Sequence, residues 1–77
     1  MHELSLAEHL VELALEAAPG ERVLSLHLRV GTLSCVAPEP LRFCFALAAE
    51  GTCLQGARLD IDLESGPEFQ LVSLEVA

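Results

Sequence analysis

Glu21-Arg22-Val23-Leu24-Ser25-Leu26-His27-Leu28-Arg29-Val30 alternates at a period of two and is closed by Gly31. Leu24, Leu26, Leu28 and Val30 share one side of an extended chain; Val23, Ser25, His27 and Arg29 share the other. The stretch predicts a strand with one buried face and one wetter face. On its N-terminal side, Leu6, Leu10, Leu13, Ala14 and Ala17 repeat at helical spacing and form one apolar stripe. Ser5-Leu6-Ala7-Glu8 has the form of a capping box, which starts the helix at Ser5, and Pro19-Gly20 stops it near Ala18.

On the C-terminal side, 32–37 reads as a loop. Pro38 suits the first turn of a second helix, where its missing N–H costs nothing. Leu41, Phe45 and Ala48 form the stripe of that helix, with Cys44 and Leu47 beside it, and Gly51 is its C′ residue. Residues 58–64 alternate again, with Leu59, Ile61 and Leu63 inside and Arg58, Asp60, Asp62 and Glu64 outside. Ser65-Gly66-Pro67 is a turn, and 68–76 is the last strand. In it Phe69 and Leu71 have one parity and Val72, Leu74 and Val76 the other; either a bulge puts both sets on one face or each face is partly covered. The last two strands are close enough in sequence to form a hairpin. The order α-β-α-β-β predicts a two-layer α+β domain over 1–77, with two helices on one face of a three-stranded sheet.

Composition bounds the function. The 77 residues carry a net charge of −8, with four Arg, no Lys and twelve acidic residues. Four scattered cations do not bind a phosphate backbone, so nucleic acid is excluded as a partner. They do not make a polybasic membrane surface either, and no apolar run is long enough to span a bilayer. The N-terminus has neither the cationic start nor the apolar core of a signal peptide, so a cytoplasmic protein is expected. At 52% apolar the chain folds. A core this small leaves only a few kcal/mol of net stability, and a deep dry active site is hard to build on it. A binding or carrier role is expected rather than an enzyme, and self-association into a homo-oligomer would bury leftover apolar surface.

The chemistry is sparse. Cys35, Cys44 and Cys53 are odd in number and spaced evenly by nine, which fits neither a disulfide framework nor the paired thiolates of a zinc knuckle. Glu8, Glu12 and Glu16 line up as a solvated helix face, and His9 borders the core at Leu10. His27 or Arg29 would pair with a carboxylate of 58–64 if the two strands are neighbours. Ser5 and Ser34 lack the setting of a nucleophile, and Gly31, Gly51, Gly56 and Gly66 are scattered turn residues, not a phosphate loop. The start is different. His2 is too large for efficient removal of the initiator Met, so Met1 keeps its amine. That amine, the His2 amide nitrogen and the His2 imidazole close a five-membered and then a six-membered chelate ring on one metal ion, and the Glu3 amide or carboxylate can add a further donor. A nitrogen-rich planar set suits Ni(II) or Cu(II), and it weakens in acid because its donors must be unprotonated.

Met1-His2-Glu3-Leu4-Ser5-Leu6-Ala7, Leu28-Arg29-Val30-Gly31-Thr32-Leu33-Ser34 and Val36-Ala37-Pro38-Glu39-Pro40-Leu41-Arg42-Phe43 recur in this order with Gly51-Thr52, Gly56-Ala57-Arg58-Leu59-Asp60-Ile61 and Ser73-Leu74-Glu75-Val76. In that arrangement the chain closely resembles the HypA family, the hydrogenase nickel incorporation proteins. The resemblance implies a nickel metallochaperone for maturation of [NiFe] hydrogenase, and in some organisms of urease. It implies Ni(II) at Met1, His2 and Glu3, with Glu39 as an added acidic ligand. It also implies two partners, a nickel-binding GTPase maturation factor and the hydrogenase large subunit. The family normally inserts a zinc domain with two C-x-x-C motifs between the last two strands. Here Glu64 runs through Ser65-Gly66-Pro67 directly to Glu68, so no structural zinc is expected. The rival expectation is a protein-interaction or regulatory module that keeps the fold without delivering metal.

Overall fold

In the computed structural model, which describes residues 2–77, the chain forms α1 (Glu3–Ala17), β1 (Val23–Gly31), a single 3-10 turn (Thr32–Ser34), α2 (Pro38–Ala49), β2 (Arg58–Glu64) and β3 (Phe69–Val76). β1 is the central strand. It pairs parallel with β2 on one side and antiparallel with β3 on the other. The α+β order expected from the periodicities is the observed one, with a mixed three-stranded sheet.

The expected hairpin between the last two strands does not form. β2 and β3 lie on opposite edges, and the 65–68 link crosses the C-terminal end of β1 to reach from one to the other. Two backbone bonds hold the link there: Gly31 N–H donates to the Glu68 carbonyl at 2.6 Å, and Leu33 N–H to the Gly66 carbonyl at 2.8 Å. Proximity in sequence favours a hairpin, but the central place belongs to the strand that can be covered on both flanks. Leu26, Leu28 and Val30 of β1 are all fully buried, whereas Leu63 near the end of β2 is exposed.

α1 begins earlier than its capping box suggests. His2 is the N-cap, extended at φ −72° and ψ 137°, without a side-chain cap, and the Leu6 N–H donates to its carbonyl at 3.1 Å. Glu3 and Leu4 are good helix formers, and an acid in the first turn is favoured by the helix dipole, so the helix extends past Ser5. The buried stripe is also rotated: Leu6, Ala7, Leu10, Val11 and Ala14 are buried, while Leu13 is half-buried and Ala17 exposed. His9 lies on the solvent side with Glu8 and Glu12. α2 behaves as expected at both ends, with Pro38 in its first turn and Gly51 at φ +75° just past it. Leu41, Phe45 and Ala49 are its buried contacts.

Two irregularities set which side chains face the core. The β1–β3 register shifts between Val23 and Ser25, leaving Leu24 as the extra residue. Leu24 is therefore exposed and Val23 buried, the reverse of simple alternation. The second shift makes Val72 the extra residue of β3. That bulge brings Phe69, Leu71 and Leu74 to the helix-covered face together and leaves Val72 outside. Leu54, in the 50–57 connection, is fully buried although it belongs to no element.

Candidate metal centre

The three short connections at 18–22, 32–37 and 50–57 each reverse the chain. The starts of α1 and α2, the ends of β1 and β2, and the 65–68 link therefore share one end of the domain. His2, Glu3 and Glu39 all belong to that end. His2 is exposed, Glu3 is half-buried in the first turn of α1, and Glu39 projects from the first turn of α2 with its side chain 86% exposed. Met1 lies outside the described residues. Among the described residues no three His, Cys, Asp or Glu side chains gather closely enough to hold a metal ion, so His2, Glu3 and Glu39 are not yet a common cluster. Among the described residues Glu39 lies 3.8 Å from Arg42, too long to fix it.

What the local fold does provide is backbone. An α-helix leaves its first four N–H groups without an intrahelical acceptor. With His2 as N-cap, the Glu3 N–H is one of these, and the His2 N–H precedes them. Both amide nitrogens next to the exposed imidazole are thus outside the helical ladder.

The open face of the sheet carries a second polar constellation. His27 Nε2 lies 2.6 Å from Asp62, Arg29 Nε 3.1 Å from Glu64, and Ser25 Oγ donates to Glu75 at 2.9 Å. Arg58 Nε donates to both oxygens of Asp60, at 3.0 and 3.1 Å. The Arg58 hydrogen bond holds the Asp60 carboxyl below its usual range, and the same pair raises Arg58. The pairing foreseen for His27 and Arg29 needs the parallel neighbour: the register sets them opposite Asp60 and Asp62, and each side chain meets the carboxylate two residues further along β2, Asp62 and Glu64. His27, Arg29 and Arg58 each lie against a carboxylate and Glu75 accepts from the Ser25 hydroxyl, which is the arrangement of a solvated sheet face. Sequence spacing gave no warning of the Ser25–Glu75 bond, because it depends on which edge β3 takes. The three cysteines are all free thiols, as their spacing suggests; Cys35 sits at φ +62° after the 3-10 turn.

Comparison with known proteins places the chain. A family described as hydrogenase/urease nickel incorporation, metallochaperone, hypA matches residues 1–76. A hydrogenase maturation factor HypA from Methanopyrus kandleri is 46% identical over 69 residues, covering 86% of this chain and 49% of that protein. One from Geobacter sulfurreducens is 44% identical over 66 residues, covering 86% and 60%, and one from a Roseiflexus species is 54% identical over 65 residues, covering 80% and 53%. The chain thus spans about half to three-fifths of the length of these curated relatives. Among the described residues, no helix is long and apolar enough to cross a membrane. A match running through both helices and all three strands, at this level of identity, leaves one conclusion: the chain belongs to the HypA family.

Proposed function

We propose that this domain binds one Ni(II) ion through Met1, His2 and Glu3 and passes it on in the maturation of [NiFe] hydrogenase, with no catalytic step of its own. The observation that supports it is the start of α1 at Glu3. The chelate needs deprotonated amide nitrogens, and those of His2 and Glu3 give up no helical hydrogen bond when they lose their protons. The positive end of a helix dipole repels a bare cation. Two amidate nitrogens offset the ion's charge, so a planar nitrogen set is the form in which nickel is tolerated there. Glu39, at the same end, is the side chain available for an additional contact. The carriers before and after this domain are proposed to be those the family resemblance implies, a nickel-binding GTPase maturation factor and the hydrogenase large subunit.

The test is titration of the protein with a free Met1 amine against Ni(II) and Zn(II). One Ni(II) per chain is expected, preferred over Zn(II), in a diamagnetic planar form. His2→Ala, or residues added before Met1, abolishes most of the binding. Unchanged stoichiometry and affinity in both variants refutes the site and favours the rival interaction module.

A further inference from the structure

A groove of about 430 Å³ runs between α2 and the edge strand β2, with Arg42, Phe45 and Ala46 on one wall and Arg58, Leu59 and Asp60 on the other. Phe45 and Leu59 are almost fully buried and form an apolar floor, while Ala46 is exposed on the rim. Two of the four arginines of a chain with net charge −8 stand in this one groove. Asp60 accepts from Arg58 Nε, so two guanidiniums against one carboxylate leave one excess positive charge. A guanidinium has five N–H donors. Among the described residues Arg58 makes no hydrogen bond through its Nη groups, and Arg42 uses only Nη1, which donates to the Leu59 backbone carbonyl at 3.1 Å. Glu39, 3.8 Å from Arg42 Nε, takes neither Nη.

The bond to Leu59 also fixes the strand's orientation. Arg42 reaches β2 from the helix layer with its side chain 39% exposed, so the Leu59 carbonyl turns to the open edge, away from β1. The backbone groups of Ile61 and Leu63, two and four residues on, turn the same way. β2 has a neighbour only in β1, so within the sheet these groups have no partner. The edge therefore offers a ladder from Leu63 back to Ile61 that stops at Leu59, whose carbonyl Arg42 occupies. An added strand would meet two guanidiniums where the ladder stops.

We infer that the β2 edge binds an extended apolar peptide segment antiparallel to β2, with its C-terminal carboxylate held between Arg42 and Arg58. A chain running from Leu63 towards Leu59 is antiparallel to β2, and its terminal carboxylate continues along the strand axis into the arginine pair. An Asp or Glu side chain would stand perpendicular to the sheet and miss it. Backbone pairing supplies affinity, and the floor at Phe45 and Leu59 takes the apolar side chains of one face. One excess positive charge in a chain of −8 suits a segment whose only charge is that carboxylate and repels an acidic one.

The probe is the pentapeptide Thr-Val-Thr-Val-Leu with a fluorophore on its amine, followed by fluorescence anisotropy against the full chain. The free acid binds saturably below about 1 mM. Its C-terminal amide binds at least about tenfold more weakly, and so does the free acid to Arg58→Gln or Ala46→Glu. Ala46 is exposed and Glu is a good helix former, so that variant keeps its fold. Gln70→Glu on the β3 edge leaves the affinity unchanged. An amide ending in Asp binds no better than the Leu amide. In the unaltered protein the free acid slows amide exchange at Ile61 and Leu63, a readout that needs no variant. Absence of saturation by about 1 mM, equal binding of acid and amide, recovery with the Asp amide, indifference to Arg58→Gln and Ala46→Glu, or slowed exchange in β3 in place of β2 overturns the inference.

Discussion

Gly31→Ala isolates the crossing of the chain over the end of β1. Gly31 is extended, at φ −78° and ψ 139°, a backbone any residue adopts. Judged by conformation alone, alanine would stabilise by about 0.4–1 kcal/mol through the unfolded state. Space decides otherwise. A Cβ on Gly31 would collide with the Gly66 carbonyl oxygen, and would stand 2.5 Å from the Gly66 carbonyl carbon and 2.7 Å from the Glu68 nitrogen. All three are backbone atoms, so the link must move as a whole. Moving it costs the bonds from Gly31 to Glu68 and from Leu33 to Gly66, at about 1 kcal/mol each. Overpacking adds about 1–3 kcal/mol. After subtracting the entropic gain, the net loss is about 3 kcal/mol, from a total that for this length is about 4–12 kcal/mol. Thermal unfolding should fall by about 12–24 °C. Gly51→Ala is the companion measurement. That position has φ +75° and nothing within 4 Å, so alanine costs about 1 kcal/mol through conformation alone. Asparagine tolerates the left-handed region and should recover part of the loss at 51, yet be as harmful as alanine at 31. A Gly31→Ala protein melting within a degree or two of the original would refute the close crossing.

Other consequences can be checked directly. Leu28→Ala, in the central strand between Ile61 and Leu71, should cost about 2–5 kcal/mol in denaturant unfolding, because the site is walled on both flanks and cannot collapse. Nickel binding should weaken steadily as pH falls below neutrality, since each ion displaces protons from amine, imidazole and amide; titration at several pH values should show proton release. A chelator should leave the melting temperature of the metal-free protein unchanged, because no C-x-x-C pair is present to make folding depend on zinc. Asp60 has its carboxyl depressed in the folded state, so its pairing with Arg58 contributes above the unfolded carboxyl range and is lost as pH falls through the folded value. Asp60→Asn should accordingly lower the neutral plateau slightly, the pair being exposed, and make the fall of stability below about pH 4 shallower by the same small amount.

Periodicity made the elements legible because each amphipathic face was long. Leu26, Leu28 and Val30 could only be one side of a strand, and Pro38 and Gly51 mark the ends of α2 by covalent restrictions that no tertiary contact overrides. The β3 bulge was legible only as one of two alternatives, since the parity conflict of Leu71 and Leu74 is met either by an extra residue between them or by partial cover of both faces; the register shift at Val72 decides for the bulge. Pairing was not legible. The choice between a hairpin and a central β1 depends on whether a four-residue link can cross a strand end, and that depends on the missing Cβ of Gly31, which looks like any other turn glycine in sequence. Leu24 was misplaced for a related reason: a bulge against a strand nearly fifty residues away flips it, and nothing local announces it. At the candidate metal centre, His2 and Glu3 stand out by their place next to Met1 in the sequence, whereas Glu39 is an ordinary first-turn acid by sequence and enters only through the family resemblance.

The sharing of one end by the starts of both helices separates fold from function in this domain. The residues that hold the molecule together, from Leu10 and Leu26 to Leu41 and Leu54, are fully buried away from His2 and Glu39, which are exposed. Substitutions at His2 and Glu39 therefore remove no core contact, and changes in metal binding there can be read without a stability correction. The 65–68 link leaves the sheet at this same end. In members where the family resemblance implies an insertion between the last two strands, the inserted chain would emerge beside the starts of α1 and α2 and not at the far side of the sheet. Here the link is closed down to four residues and pinned by Gly31 and Leu33. The 65–68 link, at the end that carries the proposed donors, is thus held by two backbone hydrogen bonds and by the missing side chain of Gly31.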